Sequence, residues 1–255
     1  MTLVKNGWAA LQRYTPARVA LGRSGISLPT ARHLELQEAL AVARDAVHDE
    51  LNTEALSAEM VACGFVAIAC QSAAPDRKTY LLHPELGRRL TPASRALLES
   101  RRKGPVDVAL VVADGLSARA AQNHAAALPA ALRDHLPAAS WSLGPVVIVR
   151  HGRVAVGDEV GEVLQARAVA VLIGERPGLS AADSLGVYVT WAPKVGRHDA
   201  ERNCISNIRA EGLSVAQGAQ QLASLLSAAR AHQKSGVTLT RLLASEAPVL
   251  RLDGV

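Results

Sequence analysis

The chain has 255 residues, of which 49% are hydrophobic, 20% are charged and 3% are aromatic, and its formal net charge is +5. This composition predicts a globular protein with an aliphatic core, and the scarcity of aromatic rings argues against a single-strand nucleic-acid reader, which needs stacking platforms. Because the 28 lysines and arginines are spread along the chain, we expect the positive charge to serve solubility and predict no nucleic-acid partner.

The cysteines and the hydropathy pattern indicate in which cellular compartment the protein lies. Cys63, Cys70 and Cys204 are an odd number without paired spacing, which is typical of a reduced cytosol and not of a disulfide framework. No Cys and His cluster has zinc spacing, so no metal site is predicted. No secretory segment is recognised, and no apolar run approaches the ~20 residues of a membrane span. We therefore expect a cytoplasmic protein with no membrane partner.

We predict that residues 1–104 form a smaller, mostly helical region. Glycines and prolines interrupt residues 1–30, which predicts irregular structure there. The predicted elements after it are a helix over 30–51, a buried strand over 65–70 and a helix over 92–102. The pair Gly104-Pro105 ends the last helix and is the predicted boundary with a second domain, residues 105–255.

In the second part, apolar strands alternate regularly with helices. The predicted strands are 106–112, 146–149, 168–173 and 185–191, and the predicted helices are 117–135, 157–166, 199–208 and 214–232. Continuous runs of Val, Ile and Leu are typical of strands that are buried on both faces. The predicted fold class is therefore α/β, with a mainly parallel, Rossmann-like sheet covered by helices on both faces.

Several catalytic motifs are missing from these elements. The turn after the first strand of the second part, residues 113–119, lacks two of the three glycines of a dinucleotide-binding fingerprint. Neither a P-loop nor a G-x-S-x-G elbow occurs. A stand-alone nucleotide-binding enzyme is therefore disfavoured, and no catalytic residue is predicted.

Polar residues follow the predicted strands, where ligands of open α/β sheets bind. They are Asp114, His151 and the pair Glu175-Arg176, and Cys204 lies in a polar run beyond the last strand. The residues alone also allow a structural role for each of them. Asp114 then caps the next helix, His151 is a surface or hydrogen-bonded residue, Glu175 forms a weak local ion pair with Arg176, and Cys204 is a small buried hydrophobe.

Longer segments around these positions carry a family resemblance. The segments are TPARVALGR (15–23), DRKTYL (76–81), PELGRRL (84–90), VVADGLSAR (111–119), GERPGL (174–179), DSLG (183–186) and AERNCISNIR (200–209). In this order they resemble the small subunit of ethanolamine ammonia-lyase, an adenosylcobalamin-dependent enzyme, over nearly the whole chain.

The resemblance implies a subunit and not a complete enzyme. In the family, a larger TIM-barrel subunit carries the substrate site and the catalytic side chains, and the corrin ring is held between the two subunits. The complex, a hetero-oligomer, converts ethanolamine to acetaldehyde and ammonia through radical chemistry that the cofactor supplies. The resemblance thus implies adenosylcobalamin as cofactor, the large subunit as partner, and a lyase that is active only as the complex.

Three positions of this chain correspond to cobalamin contacts of the family: Val154, Glu175 and Cys204. The resemblance implies that Glu175 accepts hydrogen bonds from corrin amides, whereas Val154 and Cys204 pack or approach through their backbone. The D-x-H-x-x-G motif does not occur in the sequence. We therefore expect the cofactor to keep its own dimethylbenzimidazole, with no ligand to cobalt from this chain.

Two questions stay open at this point. The first is whether the chain contacts the cofactor or is a non-catalytic interaction subunit that only seals or stabilises a partner's active site. The second is whether the complex lies free in the cytoplasm or within a bacterial microcompartment, to which members of the family are targeted.

Overall fold

The computed structural model describes residues 7–15 and 17–246, so the first six residues of the region 1–104, Pro16, and the last nine residues of the region 105–255 lie outside the described residues. The described part contains one six-stranded sheet. Its strands are β1 (Ala67–Gln71), β2 (Val106–Ala113), β3 (Leu143–Arg150), β4 (Ala166–Gly174), β5 (Leu185–Trp191) and β6 (Arg202–Ile208). The order across the sheet is β1-β3-β2-β4-β5-β6.

The described residues also form nine α-helices. They are α1 (Thr30–His48), α2 (Thr53–Ala62), α3 (Arg77–Leu82), α4 (Pro92–Arg101), α5 (Ala118–His124), α6 (Ala127–His135), α7 (Val156–Val163), α8 (Val215–His232) and α9 (Gly236–Glu246). Short 3₁₀ helices occupy Ala9–Tyr14, Leu86–Arg88 and Asp199–Glu201. Among these helices, none combines the length and the apolar character that a bilayer crossing requires.

The pairing of the strands confirms the predicted fold class. Strands β1, β3, β2 and β4 are parallel to one another, while β5 and β6 are antiparallel additions at one side. Residues before position 105 are mostly helical but contribute β1, which pairs with β3 in the same sheet. The division into regions 1–104 and 105–255 stays a prediction.

Two apolar clusters lie on the two faces of the sheet, because β2 and β4 bury every second residue on each side. On β2, Val108, Leu110 and Val112 belong to the first cluster, and Ala109 and Val111 to the second. Helices α2, α5, α6 and α8 supply the helical residues of the first cluster, and α4 and α7 supply those of the second. We call the α4 and α7 side the second face.

The predicted helix over 199–208 is wrong. A 3₁₀ turn at Asp199–Glu201 leads directly into strand β6. The error has a physical cause: Ile205 lies opposite Val187 and Ile208 lies opposite Leu185, so β6 uses one more residue than β5 between these pairs. This irregularity spaces the buried isoleucines by three, which imitates the periodicity of a helix.

The predicted helix over 117–135 is divided into α5 and α6. Pro129, at the start of α6, has no N–H to donate to the carbonyl of Ala125, so a continuous helix would lose a hydrogen bond there. The other predicted strands and helices of both regions are confirmed, with ends that shift by up to three residues.

A buried ion pair joins the second face to the antiparallel strands. Both guanidinium nitrogens of Arg202, on β6, donate to the Asp158 carboxylate of α7 at 2.7 Å. Arg202 also donates to Thr190 Oγ1 at 2.9 Å, and both charged side chains are almost completely buried. The pair therefore fixes β5 and β6 relative to α7.

Removing one partner of this ion pair should lower the stability of the fold. We expect Asp158→Asn to lower the free energy of unfolding by about 3–5 kcal/mol, because it leaves the Arg202 charge buried without its partner. The measurement is urea unfolding. Asp199→Asn is a matched control, because Asp199 contacts the same guanidinium at 3.4 Å but is 90% exposed; it should cost about 1 kcal/mol or less. Equal losses in the two variants would contradict this interpretation.

Candidate functional site

The candidate site lies on the second face of β5 and β6, beside the start of α7. Tyr188 of β5 packs against the second cluster, and Cys204 is its direct partner across the antiparallel pair. Directly opposed residues project to the same side of a sheet, so both side chains are on the second face. Val154 packs against the same second cluster as Tyr188, and the charge of Glu175 acts on both Tyr188 and Cys204. We group these four residues as the open face.

Val154 reaches the open face from the turn of residues 151–155, which joins β3 to α7. The side chain is half-buried and packs against the second cluster. The carbonyl of Val154 accepts a hydrogen bond from Gly157 N at 3.1 Å, within the first turn of α7. The position of Val154 therefore depends on how this turn is held.

Glu175 follows β4 directly and links three segments. Its Oε2 accepts hydrogen bonds from Ser184 Oγ at 2.5 Å and from Asn207 N at 3.1 Å, and its Oε1 accepts one from Ser206 Oγ. Within residues 17–246 the carboxylate forms no ion pair with Arg176, so the local-pair alternative is wrong. Since a carboxylate oxygen offers two acceptor directions, one at Oε1 is left for a ligand donor.

Cys204 is an exposed residue of strand β6, so its interpretation as a buried hydrophobe is wrong. Neighbouring side chains still cover part of the thiol. This burial raises the pKa of Cys204, a hydrogen bond with Tyr188 opposes the rise, and the negative charge of Glu175 adds to it. Burial likewise raises the pKa of Tyr188 to about 12. Both groups are therefore neutral near pH 7.

Two glycines give Glu175 its place. A Cβ at Gly174 would lie 2.0 Å from Ser117 O and 2.6 Å from Asp114 O, so the end of β4 can approach the end of β2 only with glycine there. A Cβ at Gly186 would lie 3.0 Å from Glu175 Oε1. These contacts explain the glycines at the start of the segment 174–179 and at the end of the segment 183–186.

Asp114 and His151 lie behind the open face and differ from what the sequence indicates. Ser117, not Asp114, caps α5, since its Oγ accepts from Ala120 N at 3.2 Å. Asp114 is buried instead, and its two oxygens accept from His151 N at 2.9 Å and from Gly152 N at 3.0 Å. Burial raises the pKa of the Asp114 carboxyl, and Arg77 with these N–H groups opposes the rise.

His151 is buried, with φ at 54°, so it is not a surface residue, and its alternative interpretation as a hydrogen-bonded residue is confirmed. Its ring Nδ1 lies 3.2 Å from Gln71 Nε2 and 3.3 Å from Ala74 O. The sequence offered a single signal for this role, the position of both Asp114 and His151 at strand ends. Their burial depends on α3 and the loop before it, which pack over these ends.

The chemistry of the open face is that of a binding surface. It combines an aliphatic side chain, a neutral phenol and thiol, and one carboxylate with a spare acceptor position. In the described part of the chain no three His, Cys, Asp or Glu side chains are arranged to hold a metal ion. Such a surface suits a ligand that has apolar area and neutral amide donors.

The comparisons with known proteins identify the family of the chain. The family model of the ethanolamine ammonia-lyase light chain matches residues 5–240. The ethanolamine ammonia-lyase small subunit of Ralstonia nicotianae is 52% identical over 98% of this chain and 93% of its own length. That of Azotobacter vinelandii is 53% identical over 98% and 92%, and that of Pseudomonas syringae pv. tomato is 52% identical over 92% and 83%. The chain belongs to the ethanolamine ammonia-lyase light chain family, as the resemblance predicts.

The proximity of Glu175 and Cys204 can be tested in the isolated chain. We expect Glu175→Gln to lower the pKa of the Cys204 thiol, because it removes a negative charge that disfavours the thiolate. Alkylation of Cys204 by iodoacetamide at pH 8 should then be about 2- to 5-fold faster, since the thiolate is the reactive form. Mass spectrometry of the Cys204 peptide gives the rate.

Cys63 provides the internal control for this experiment. It is partly exposed and lies in the turn after α2, on the other side of the sheet. Its alkylation rate should be the same in both proteins. A Cys204 rate that is unchanged or slower in Glu175→Gln would contradict the arrangement described above.

Proposed function

We propose that the open face contacts adenosylcobalamin in a complex with the large subunit of ethanolamine ammonia-lyase, which converts ethanolamine to acetaldehyde and ammonia. The observation that carries this proposal is the spare acceptor position of Glu175 beside the neutral, partly apolar surface of Val154, Tyr188 and Cys204. The site lies at the carboxyl end of β4, where α/β sheets bind their ligands.

The donor and acceptor groups of the open face fit a corrin ring. Such a ring has a rim of neutral amides and an apolar face, so Glu175 Oε1 would accept an amide N–H, and Val154 would pack against apolar area. Tyr188 and Cys204 add a neutral surface that carries no competing charge. Tyr188 is the one member of this set that the sequence analysis did not predict.

The chain would contribute binding, orientation and exclusion of water. When bound, adenosylcobalamin supplies radical chemistry through homolysis of its cobalt–carbon bond. Glu175, which Ser184 and Ser206 hold in one orientation, would fix the position of the ring at its edge. We propose no catalytic side chain and no cobalt ligand from this chain, and we place the substrate site in the large subunit.

An exposed apolar segment supports assembly with that partner. Of sixteen large hydrophobic side chains that are exposed in the described residues, eight lie within residues 7–42, among them Tyr14, Ile26 and Leu34. Helix α1 buries only Ala46 of its own side chains. Because so much apolar surface favours association, we propose that residues 7–15 and 17–48 pack against the large subunit. We place this complex in the cytoplasm, either free or within a microcompartment.

The Glu175 contact is tested in the complex of both subunits. We expect Glu175→Gln to weaken hydroxocobalamin binding and to raise the KM for adenosylcobalamin by about 10-fold or more, because a hydrogen bond to a charged group contributes about 1.5–3 kcal/mol. The measurements are a visible-absorbance titration and ethanolamine turnover. Glu59→Gln, on the exposed side of α2, is the matched control and should change neither.

The same experiment separates this proposal from the sealing alternative. A subunit that only seals the partner's site predicts lower turnover in Glu175→Gln with unchanged hydroxocobalamin affinity. An unchanged affinity in a correctly assembled variant would therefore reject the cofactor contact.

The partner surface is tested by a charge placed on α1. We expect Leu34→Glu to weaken assembly with the large subunit by at least about 10-fold, since burying an unpaired carboxylate costs more than the apolar contact that it replaces. Analytical ultracentrifugation of the mixed subunits gives the affinity. Val61→Glu, at a position that is equally exposed at 60% but on α2, should assemble normally. Equal effects of the two substitutions would contradict the assignment of α1.

A further inference from the structure

We propose that Asp114 is a positioning residue for the cofactor, which acts by fixing the 151–155 turn that carries Val154. This inference rests on the proposed function and adds a residue that does not itself reach the open face. Asp114 ends the central part of the sheet, directly after β2, and its side chain is almost completely buried.

The carboxylate binds the turn at two consecutive N–H groups. Asp114 Oδ2 accepts from His151 N at 2.9 Å and Oδ1 accepts from Gly152 N at 3.0 Å. Val154 follows two residues later, and its carbonyl accepts a hydrogen bond from Gly157 N in the first turn of α7. Two hydrogen bonds to neighbouring N–H groups fix both the position and the orientation of the turn. A single hydrogen bond would still allow the turn to rotate.

Arg77 holds the carboxylate from the other side. Its Nη1 lies 3.5 Å from Asp114 Oδ2 and donates to Gly115 O at 2.8 Å, and its Nε donates to Val47 O at 2.6 Å. These contacts tie α3 and the end of α1 to the end of β2. The Asp114 side chain thus has little freedom to follow the turn if the turn moves.

Tyr80 and Arg153 complete the support of the turn. The Tyr80 hydroxyl donates to Gly152 O at 3.3 Å, and the Arg153 guanidinium stacks over the Tyr80 ring at 4.2 Å. Arg153 N donates to Gly87 O at 2.7 Å, where a Cβ on Gly87 would lie 2.9 Å from His151 O. The turn is therefore held by α3 and by the segment around Gly87 as well as by Asp114.

The turn needs this support because its backbone is strained. His151 has φ of 54°, a left-handed conformation that is unfavourable for a residue other than glycine. Such a conformation persists only where surrounding bonds determine it. Since Ser117 caps α5, Asp114 is not needed to start that helix, and its bonds serve the turn.

The test is Asp114→Asn in the complex with the large subunit. Asparagine has the same shape but a single acceptor oxygen, so its NH₂ group would oppose one of the two N–H groups and displace the turn. We expect hydroxocobalamin affinity to fall by roughly 10-fold, with a changed visible circular dichroism of the bound corrin. The kcat at saturating cofactor should change much less than the KM for adenosylcobalamin.

Asp107→Asn is the matched control. Asp107 lies on the same strand, and it also accepts from a backbone N–H, that of Ser142 at 2.9 Å, but at the opposite end of β2. This variant should bind hydroxocobalamin with unchanged affinity and an unchanged spectrum. An equal loss in both variants would show a general effect on the fold and would overturn the positioning role.

A milder variant keeps the proposal testable if Asp114→Asn does not fold. Tyr80→Phe removes only the hydroxyl that donates to Gly152 O, and it should lower hydroxocobalamin affinity by roughly 2- to 5-fold. Wild-type affinity in this variant would then overturn the proposal. Where Glu175→Gln weakens binding and folded Asp114→Asn does not, the positioning role alone fails. Where neither weakens binding, the proposed function fails as well.

Discussion

Strands β2 and β4 are buried on both faces, and this constraint decides where polar chemistry can lie in the molecule. Residues 108–113 of β2 have no exposed surface, so a charged group along their length would be desolvated without a partner. The first positions that can accommodate a charged group are at the strand ends, where Asp114 follows β2 and Glu175 follows β4. Each of these carboxylates then accepts hydrogen bonds from N–H or O–H donors of segments that are distant in the sequence, so the strand ends also join these segments together.

The same burial explains which parts of the fold were predictable. A strand that is covered by helices on both sides needs an unbroken apolar run, and such runs placed β2, β3, β4 and β5 correctly from sequence alone. Strand β6 is an edge strand with one polar face and an extra residue opposite β5, so its pattern of Ile205 and Ile208 indicated a helix. The break between α5 and α6 is signalled by one proline, Pro129, and the helical preference of the alanines around it favoured a continuous helix in the sequence analysis.

The candidate site was predictable in part, for a different reason. Val154, Glu175 and Cys204 were indicated by family resemblance, whereas their common surface depends on the antiparallel pairing of Tyr188 with Cys204 and on the reach of Glu175 to Ser206. Tyr188 was missed because it lies within an apolar strand, where an aromatic residue normally belongs to the core. The burial of Asp114 and His151 was not predicted because it requires α3 and the loop before it, which are thirty or more residues away in sequence, to cover the ends of β2 and β3.

Two separate sets of contacts orient the residues of the open face. Glu175 is oriented by hydroxyl and amide donors from the segments around β5 and β6, while Val154 is oriented by the buried set of Asp114, Arg77 and Tyr80. Since the ion pair of Asp158 with Arg202 holds α7 against β5 and β6, the two sets of contacts are fixed relative to each other. A large, rigid ligand gains most from such preorganised contacts, because its binding energy is not spent on ordering the protein. Preorganisation of a neutral surface around a single carboxylate is therefore the property of this chain that best fits the recognition of a corrin rim.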